Sequence, residues 1–189
     1  MSVLLPVFLK LQGRTVVVVG AGPVAERKVT ALLEAGARVR VVAPEATDDL
    51  VALGREGRIE WRAGRFEEAD LDGAWLVFAA TADAAVQRVV SDAAAARHVF
   101  CVAVDDPAHA SAYSGAVVRR PPFAIAISSS GATPALTRLV REVVEAVLPS
   151  DDWIARAETL RARWLADGTP MNERFEQLVR ELLDRGPRT

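Results

Sequence analysis

The 189-residue sequence contains one cysteine, two histidines and one tyrosine, and each shortage removes a class of chemistry. Cys101, alone in an apolar run, forms no internal disulfide and no cysteine cluster for zinc, which fits a reducing, cytoplasmic setting. Two histidines beside it do not make a ligand set for a resident metal. Tyr113 is followed by no lysine, so there is no Tyr-x-x-x-Lys pair. The formal net charge is −2, which gives no global basic field for nucleic acid. No apolar stretch approaches the ~18 residues of a membrane-spanning helix. The apolar start, MSVLLPVFLKLQG, has no basic region ahead of it, is interrupted by Pro6 and lacks a small-residue cleavage site. It reads as a short arm packed on a sheet, with Leu4, Leu5, Val7, Phe8 and Leu11 buried.

What is present is arranged around Thr15 to Ala25, TVVVVGAGPVA. Four consecutive valines between Thr15 and Gly20 predict a strand buried on both faces, as in parallel sheets. Gly20 permits the tight turn out of the strand, and Gly22 lets backbone N–H groups approach a pyrophosphate. Ala25 is the third small position, where a helix packs closely on the strand. A helix pattern follows, with Val24, Ala31, Leu32, Leu33 and Ala35 set among charged residues. Its N-terminus aims N–H groups and the positive end of its dipole at the phosphates. Gly36 and a second strand, Arg38 to Ala43, supply the context that lets a GxGxxA pattern mean dinucleotide binding. Beyond that strand stand Pro44 and Glu45. Glu45 is the candidate acid for the adenosine ribose hydroxyls; a solvated loop acid is the other reading. Arg40 lies inside the strand and no arginine ends it, so a 2′-phosphate has no receiver and NAD is favoured over NADP.

Further along, Thr47 is expected to cap a short helix through Leu53, and Ile59 to Arg62 alternates like a third strand. Phe66 to Asp72 is a polar turn or short helix. Trp75 to Ala80 is a second doubly buried strand, ending in Thr81-Ala82-Asp83. Thr81 contacts cofactor, caps the next helix, or does both. That helix, Ala84 to Arg97, carries Val86, Val89 and Val90 on one face, and a strand, Val99 to Val104, follows it. Two β-like segments, Ala112 to Val118 and Phe123 to Ser128, are joined by Arg119-Arg120-Pro121-Pro122. After Ser128-Ser129-Ser130-Gly131-Ala132, Thr133-Pro134 signals a helix start. Leu136, Leu139, Val140, Val143, Val144 and Val147 recur on one face of that helix, which suits a dimer seam or packing within the domain. Pro149-Ser150-Asp151 ends it and caps the next. Helices at 152–166 (Trp153, Leu160 and Trp164 on one face) and 172–185 (Phe175, Leu178, Val179 and Leu182) form a cap, with GPRT fraying at the end. The expected fold class is α/β: a Rossmann-type NAD-binding domain at 1–112, a small α+β dimerisation unit at 113–148, and a C-terminal helical domain at 149–189.

LPVFLKLQGRTVVVVGAGPVAERKVTALLEAGARVRVVAPE, then FAATAD, VDDP and ISSSGATPALTRLVRE, in that order and spacing, resemble the N-terminal module of the siroheme synthase family. The likeness runs from about residue 4 to 148 and more loosely into the helical tail. GxGxVAxRK followed by a SSSGxxP helix start is far more specific than the glycines alone. The family comprises precorrin-2 dehydrogenases, many of which are also sirohydrochlorin ferrochelatases. The length resembles stand-alone members, which lack the methyltransferase domain of fused ones. The resemblance implies an NAD-dependent oxidoreductase of siroheme biosynthesis, with lyase activity where iron is inserted. It implies a homodimer that exchanges the two-strand-plus-helix unit, and a tetrapyrrole, precorrin-2 or sirohydrochlorin, in a cleft beside the NAD domain. Fe²⁺ is then a passing substrate. It further implies NAD contacts from the backbone at Pro23-Val24 and Pro44-Glu45, and aligns Asp105 with the carboxylate held essential in the family. Related sequences commonly carry asparagine two or three residues before this aspartate, where this chain has Val102 and Ala103.

The implied chemistry removes a hydride and a proton from the substrate. Asp105, at the C-terminal end of a central strand, is placed to take the proton, and the same carboxylate would accept pyrrole protons on iron insertion. The plainer alternative is that Asp105 or Asp106 caps the turn before Pro107. His109 guides Fe²⁺ or meets a substrate carboxylate, unless it is an ordinary loop histidine. A substrate with eight carboxylates calls for a basic cleft, for which Arg119, Arg120, Arg138 and Arg141 are candidates. Ser129 aligns with a serine phosphorylated in some relatives; ahead of a helix N-terminus it holds a substrate carboxylate or serves as linker. Two other classes stay open: a redox-sensing NAD module without turnover, and a reductase of another small acid. The missing Tyr-x-x-x-Lys pair and the lack of a separate substrate domain argue against the latter.

Overall fold

The computed structural model describes residues 4–104, 106–148 and 151–183. Of the positions singled out above, Asp105, Pro149, Ser150 and the GPRT end lie outside the described residues. The chain divides into two compact units, Met1–Gly115 with Ser128–Pro134 and Ala116–Ile127 with Ala135–Thr189.

In the first unit the valine run forms β1 (Thr15–Val19). Side chains alternate across a strand, and with Val16, Val17 and Val18 each at 0% exposure both faces must be covered. Val16 and Val18 join Val29, Val41 and Leu50 in one core, while Val17 and Val19 join Val77, Val90 and Cys101 in the other. The helices α1 (Pro23–Glu34) and α2 (Asp48–Arg55) cover the first face, and α3 (Ala84–Ala96) covers the second. The remaining strands are β2 (Arg38–Ala43), β3 (Glu60–Ala63), β4 (Ala74–Ala79) and β5 (Phe100–Ala103). All pair in parallel in the order β3-β2-β1-β4-β5. The order reverses direction at β1, so the C-terminal end of β1 is the topological switch point where such sheets hold ligands. The expected α/β, Rossmann-type architecture is the observed one.

Four local expectations are corrected. The N-terminal arm is not packed down: Leu11 is buried, but Leu5, Val7 and Phe8 are 84%, 61% and 72% exposed. Both edges of β1 are already taken by β2 and β4, so the arm finds no ladder beside it. On α3, Val89 faces outward and Gln87 takes the buried place. Gln87, Val90 and Ala94 recur at three-and-four spacing, and Val89 sits ~100° off that stripe. Thr47 precedes α2 without capping it through its side chain, because its hydroxyl donates to Glu26 Oε2 at 2.9 Å. Thr81 does not cap α3 either; Asp83 does, accepting from Ala85 and Val86 N–H.

In the second unit, β6 (Ala116–Arg120) and β7 (Phe123–Ile127) form an antiparallel hairpin. The strand expected from Ala112 starts later, because the N–H groups of Ser111 and Ala112 both donate to the Cys101 carbonyl at 2.9 Å. Three helices follow: α4 (Pro134–Val147), α5 (Asp151–Asp167) and α6 (Met171–Leu183). Leu160 and Trp164 are buried, and Trp164 Nε1 donates to Gln177 Oε1 at 2.7 Å. Asp167 accepts from the Thr169 hydroxyl and N–H, which holds its carboxyl below the usual carboxylate range. Phe175, expected on the inner face of α6, is exposed, while Leu178, Val179 and Leu182 are half-buried. The apolar stripe of α4 is open: Leu136, Leu139 and Val143 are each more than half exposed, and Val147 is 74% exposed.

Candidate functional site

The C-terminal ends of β1, β2, β4 and β5 gather most of the candidate residues. Gly20 leaves β1 at φ +105°, where an added Cβ would stand 2.4 Å from the Ala80 carbonyl oxygen and 3.1 Å from Thr81 N. Only glycine fits, and the same closeness sets the glycine turn directly against Thr81. Gly22 precedes α1 with extended backbone and no side-chain cap, and a Cβ there would meet nothing within 4 Å. Pro23 at the first helical position has no N–H to satisfy. The N–H groups of Val24 and Ala25 lack partners within the helix by geometry. A phosphate group fits this end: donors, dipole and clearance coincide.

Pro44 and Glu45 follow β2 and are both exposed. Their loop is tied to the glycine turn, since Thr47 N–H donates to the Ala21 carbonyl at 3.1 Å and the Thr47 hydroxyl reaches Glu26 on α1. Glu45 is therefore held on the same side of the sheet as Gly22. Arg40 is turned to the other strand edge, with Nε 3.0 Å from Glu60 Oε2 and Nη1 donating to the Asp70 carbonyl. Thr81 is half-buried, and its hydroxyl accepts from Asp83 N–H at 3.2 Å.

Beyond β5 a short 3₁₀ turn, Pro107–His109, carries the next candidates. His109 Nδ1 lies 2.6 Å from Asp106 Oδ2, and its carbonyl accepts from the Ser91 hydroxyl at 2.6 Å. Tyr113 OH donates to the Pro107 carbonyl. His109 is thus a partly buried, oriented ring whose Nε2 is left for further contact. Segment 128–134 lies against the same turn, for a Cβ on Gly131 would stand 3.1 Å from Pro107 Cγ. In it, Ser129 Oγ accepts from Thr133 N–H at 3.2 Å. Cys101, in β5, is pushed up to about 11 by burial, opposed by a Ser91 hydrogen bond; a neutral, enclosed thiol is no nucleophile.

The arginine candidates belong to the second unit. Arg119 is exposed on β6, and Arg120 donates to the Leu148 carbonyl at 3.2 Å. On α4, Arg138 pairs with Glu142 at 3.0 Å and Arg141 with Glu145 at 2.5 Å. Sequence reasoning missed three features: the Thr47–Glu26 tie, the Asp106–His109 pair and the buried Gln87. Only Gln87 left a signal, an amide on an otherwise apolar helical stripe. Among the described residues no group of three His, Cys, Asp or Glu side chains could hold a metal, and no helix is long and apolar enough to cross a membrane.

Comparison with known proteins adds to this geometry. The family model described as "Putative NAD(P)-binding" matches residues 7–116. Siroheme synthase 1 of Aeromonas salmonicida (strain A449) is 44% identical over 172 residues, which cover 90% of this chain and 37% of that protein. The siroheme synthase of Citrobacter koseri is 44% identical over 90% of this chain and 38% of its own length. The chain therefore spans less than two-fifths of these curated relatives. In fold it is similar to SirC, precorrin-2 dehydrogenase, with a TM-score of 0.76 over 96% of this chain and 91% of that one, at 24% identity.

Proposed function

The chain belongs to this NAD(P)-binding family as a homologue of siroheme synthases, and from that premise we propose that it is an NAD-dependent precorrin-2 dehydrogenase forming sirohydrochlorin, with insertion of Fe²⁺ into that product as its second activity. One observation carries the proposal: 44% identity continues over 172 residues, past the nucleotide-binding part and into the second unit. A bare redox-sensing module would need the strand ends alone.

NAD, when bound, supplies the hydride acceptor. The chain supplies the rest. Backbone at Gly20, Gly22, Pro23 and Val24 receives the diphosphate at the open end of α1, and Pro44 and Glu45 receive the adenosine ribose. The Glu45 carboxylate matches two hydroxyls and would repel a 2′-phosphate. Thr81 borders the nicotinamide side. Asp105, which follows Val104 at the exit of β5, takes the proton released with the hydride and accepts pyrrole protons on iron insertion. His109 Nε2 and Ser129 are the first unit's groups for substrate carboxylates, and Arg119, Arg120 and Arg138 are the second unit's; Arg138 exchanges its glutamate partner for a substrate carboxylate. Residues 1–112 thus serve NAD, 113–148 dimerisation through the open α4 stripe, and 149–189 the cap, in a cytoplasmic homodimer.

The test is anaerobic incubation of the protein with precorrin-2 and NAD, following NADH and tetrapyrrole absorbance, with Fe²⁺ added afterwards. NADH and sirohydrochlorin are expected, then siroheme faster than from iron alone. NAD binding without NADH would replace the dehydrogenase with the redox-sensing module, and unaccelerated iron insertion would remove the second activity.

A further inference from the structure

α3 buries one amide. Gln87 is 7% exposed on a stripe otherwise filled by Val90, Ala93 and Ala94. An amide taken from water in such a place must be fully hydrogen-bonded to be tolerated. Gln87 Nε2 donates to the Thr81 carbonyl at 2.7 Å and to the Val104 carbonyl at 3.1 Å. Two carbonyl acceptors fix the amide's orientation, since only the NH₂ side can serve both.

The acceptors stand just past the last paired residues of β4 and β5, Ala79 and Ala103. Val104 N–H donates in turn to the Ala79 carbonyl at 3.1 Å. Val104 is therefore held on both sides, and beyond that backbone bond one side chain ties its carbonyl to that of Thr81. One exit runs into Thr81; in the sequence, Val104 at the other is followed by Asp105.

We propose that Gln87 is a positioning residue for dehydrogenation, holding the β4 and β5 exits at the spacing that hydride and proton removal from one substrate require. The inference rests on the dehydrogenase reading above. Gln87 touches neither substrate nor cofactor; it acts through two backbone carbonyls. A small misplacement of reacting groups is enough to slow such a step strongly.

The test uses Gln87→Met, which keeps side-chain length and helix propensity but loses both donors, and Gln87→Glu, which keeps the shape and replaces donors by acceptors. Both are assayed for kcat, for NAD affinity and for amide hydrogen exchange without substrate. Expected is a roughly 10- to 100-fold fall in kcat with NAD affinity nearly unchanged, and faster exchange confined to residues around 81–83 and 104–109. A fall in kcat no larger than the loss of folded protein, or unchanged exchange at both exits, would overturn the proposal. If the unaltered protein fails to turn over precorrin-2, the dehydrogenase reading falls; exchange at the two exits still decides whether Gln87 holds them.

Discussion

In the first unit, Val16, Val17 and Val18 show 0% of their surface to solvent, while in the second, Leu136, Leu139 and Val143 of α4 each show more than half. Both stretches are apolar and regular. β1 is flanked by strands on both edges and helices on both faces, so its burial is complete within the unit. α4 has a polar side knitted by Arg138–Glu142 and Arg141–Glu145 pairs, which leaves its apolar side to be covered from elsewhere. Contiguous exposed apolar surface of this kind marks an interaction face. The contrast teaches that apolar content alone does not locate a core. One unit buries its apolar strand within itself; the other leaves an apolar helix face open.

Four experiments break or sharpen that contrast. If the chemistry is confined to the strand ends of the first unit, Asp105→Asn lowers dehydrogenase turnover by roughly 10²- to 10⁴-fold while calorimetry finds NAD affinity unchanged. Retained turnover would take Asp105 out of the mechanism. Gly20→Ala forces a Cβ against the Ala80 carbonyl at a φ that side chains rarely adopt; it should cost about 3 kcal/mol in urea unfolding and abolish NAD binding. Leu139→Glu with Val143→Asp places charge on the open face. Sedimentation should show self-association weakened roughly 100-fold, about 2.7 kcal/mol, with NAD affinity intact; an unchanged mass would assign the stripe another role.

The smallest effect concerns pH. The Cys101 thiol is pushed up to about 11 from an ordinary 9.0 by burial. Above pH 9 the unfolded chain gives up that proton and the folded chain does not, so stability is full below about pH 9 and falls as pH rises towards 11. The loss is of order 2 kcal/mol. Cys101→Ala should flatten that decline, as read from thermal midpoints across this range. A decline that persists in the variant would assign it to other groups.

The legible parts of the sequence were those whose cause is local. Four valines between a threonine and a glycine permit little but a doubly buried strand, and Gly20 can be recognised because the turn out of that strand needs glycine there. What escaped depends on partners distant in sequence. Val89 and Gln87 differ by ~200° around one helix, and the valines nearby drew attention to the wrong side. The hydroxyl of Thr47 looked like a cap because its competitor, Glu26, lies on another helix. The arm at Leu5 to Phe8 looked like core because apolar composition carries no record of whether a surface is free to receive it. His109 stood out as a candidate, but its Asp106 partner depends on how the turn folds and left no trace in the sequence.

The chain passes between the two units at 115/116, 127/128 and 134/135. During synthesis the hairpin of the second unit leaves the ribosome before the 128–134 segment that finishes the first. Neither unit is a contiguous cassette: no single cut releases one whole, and a fusion or recombination joint placed at residue 115 would strand the serine segment on the wrong side. A gene that borrows the first unit whole must therefore carry the hairpin with it.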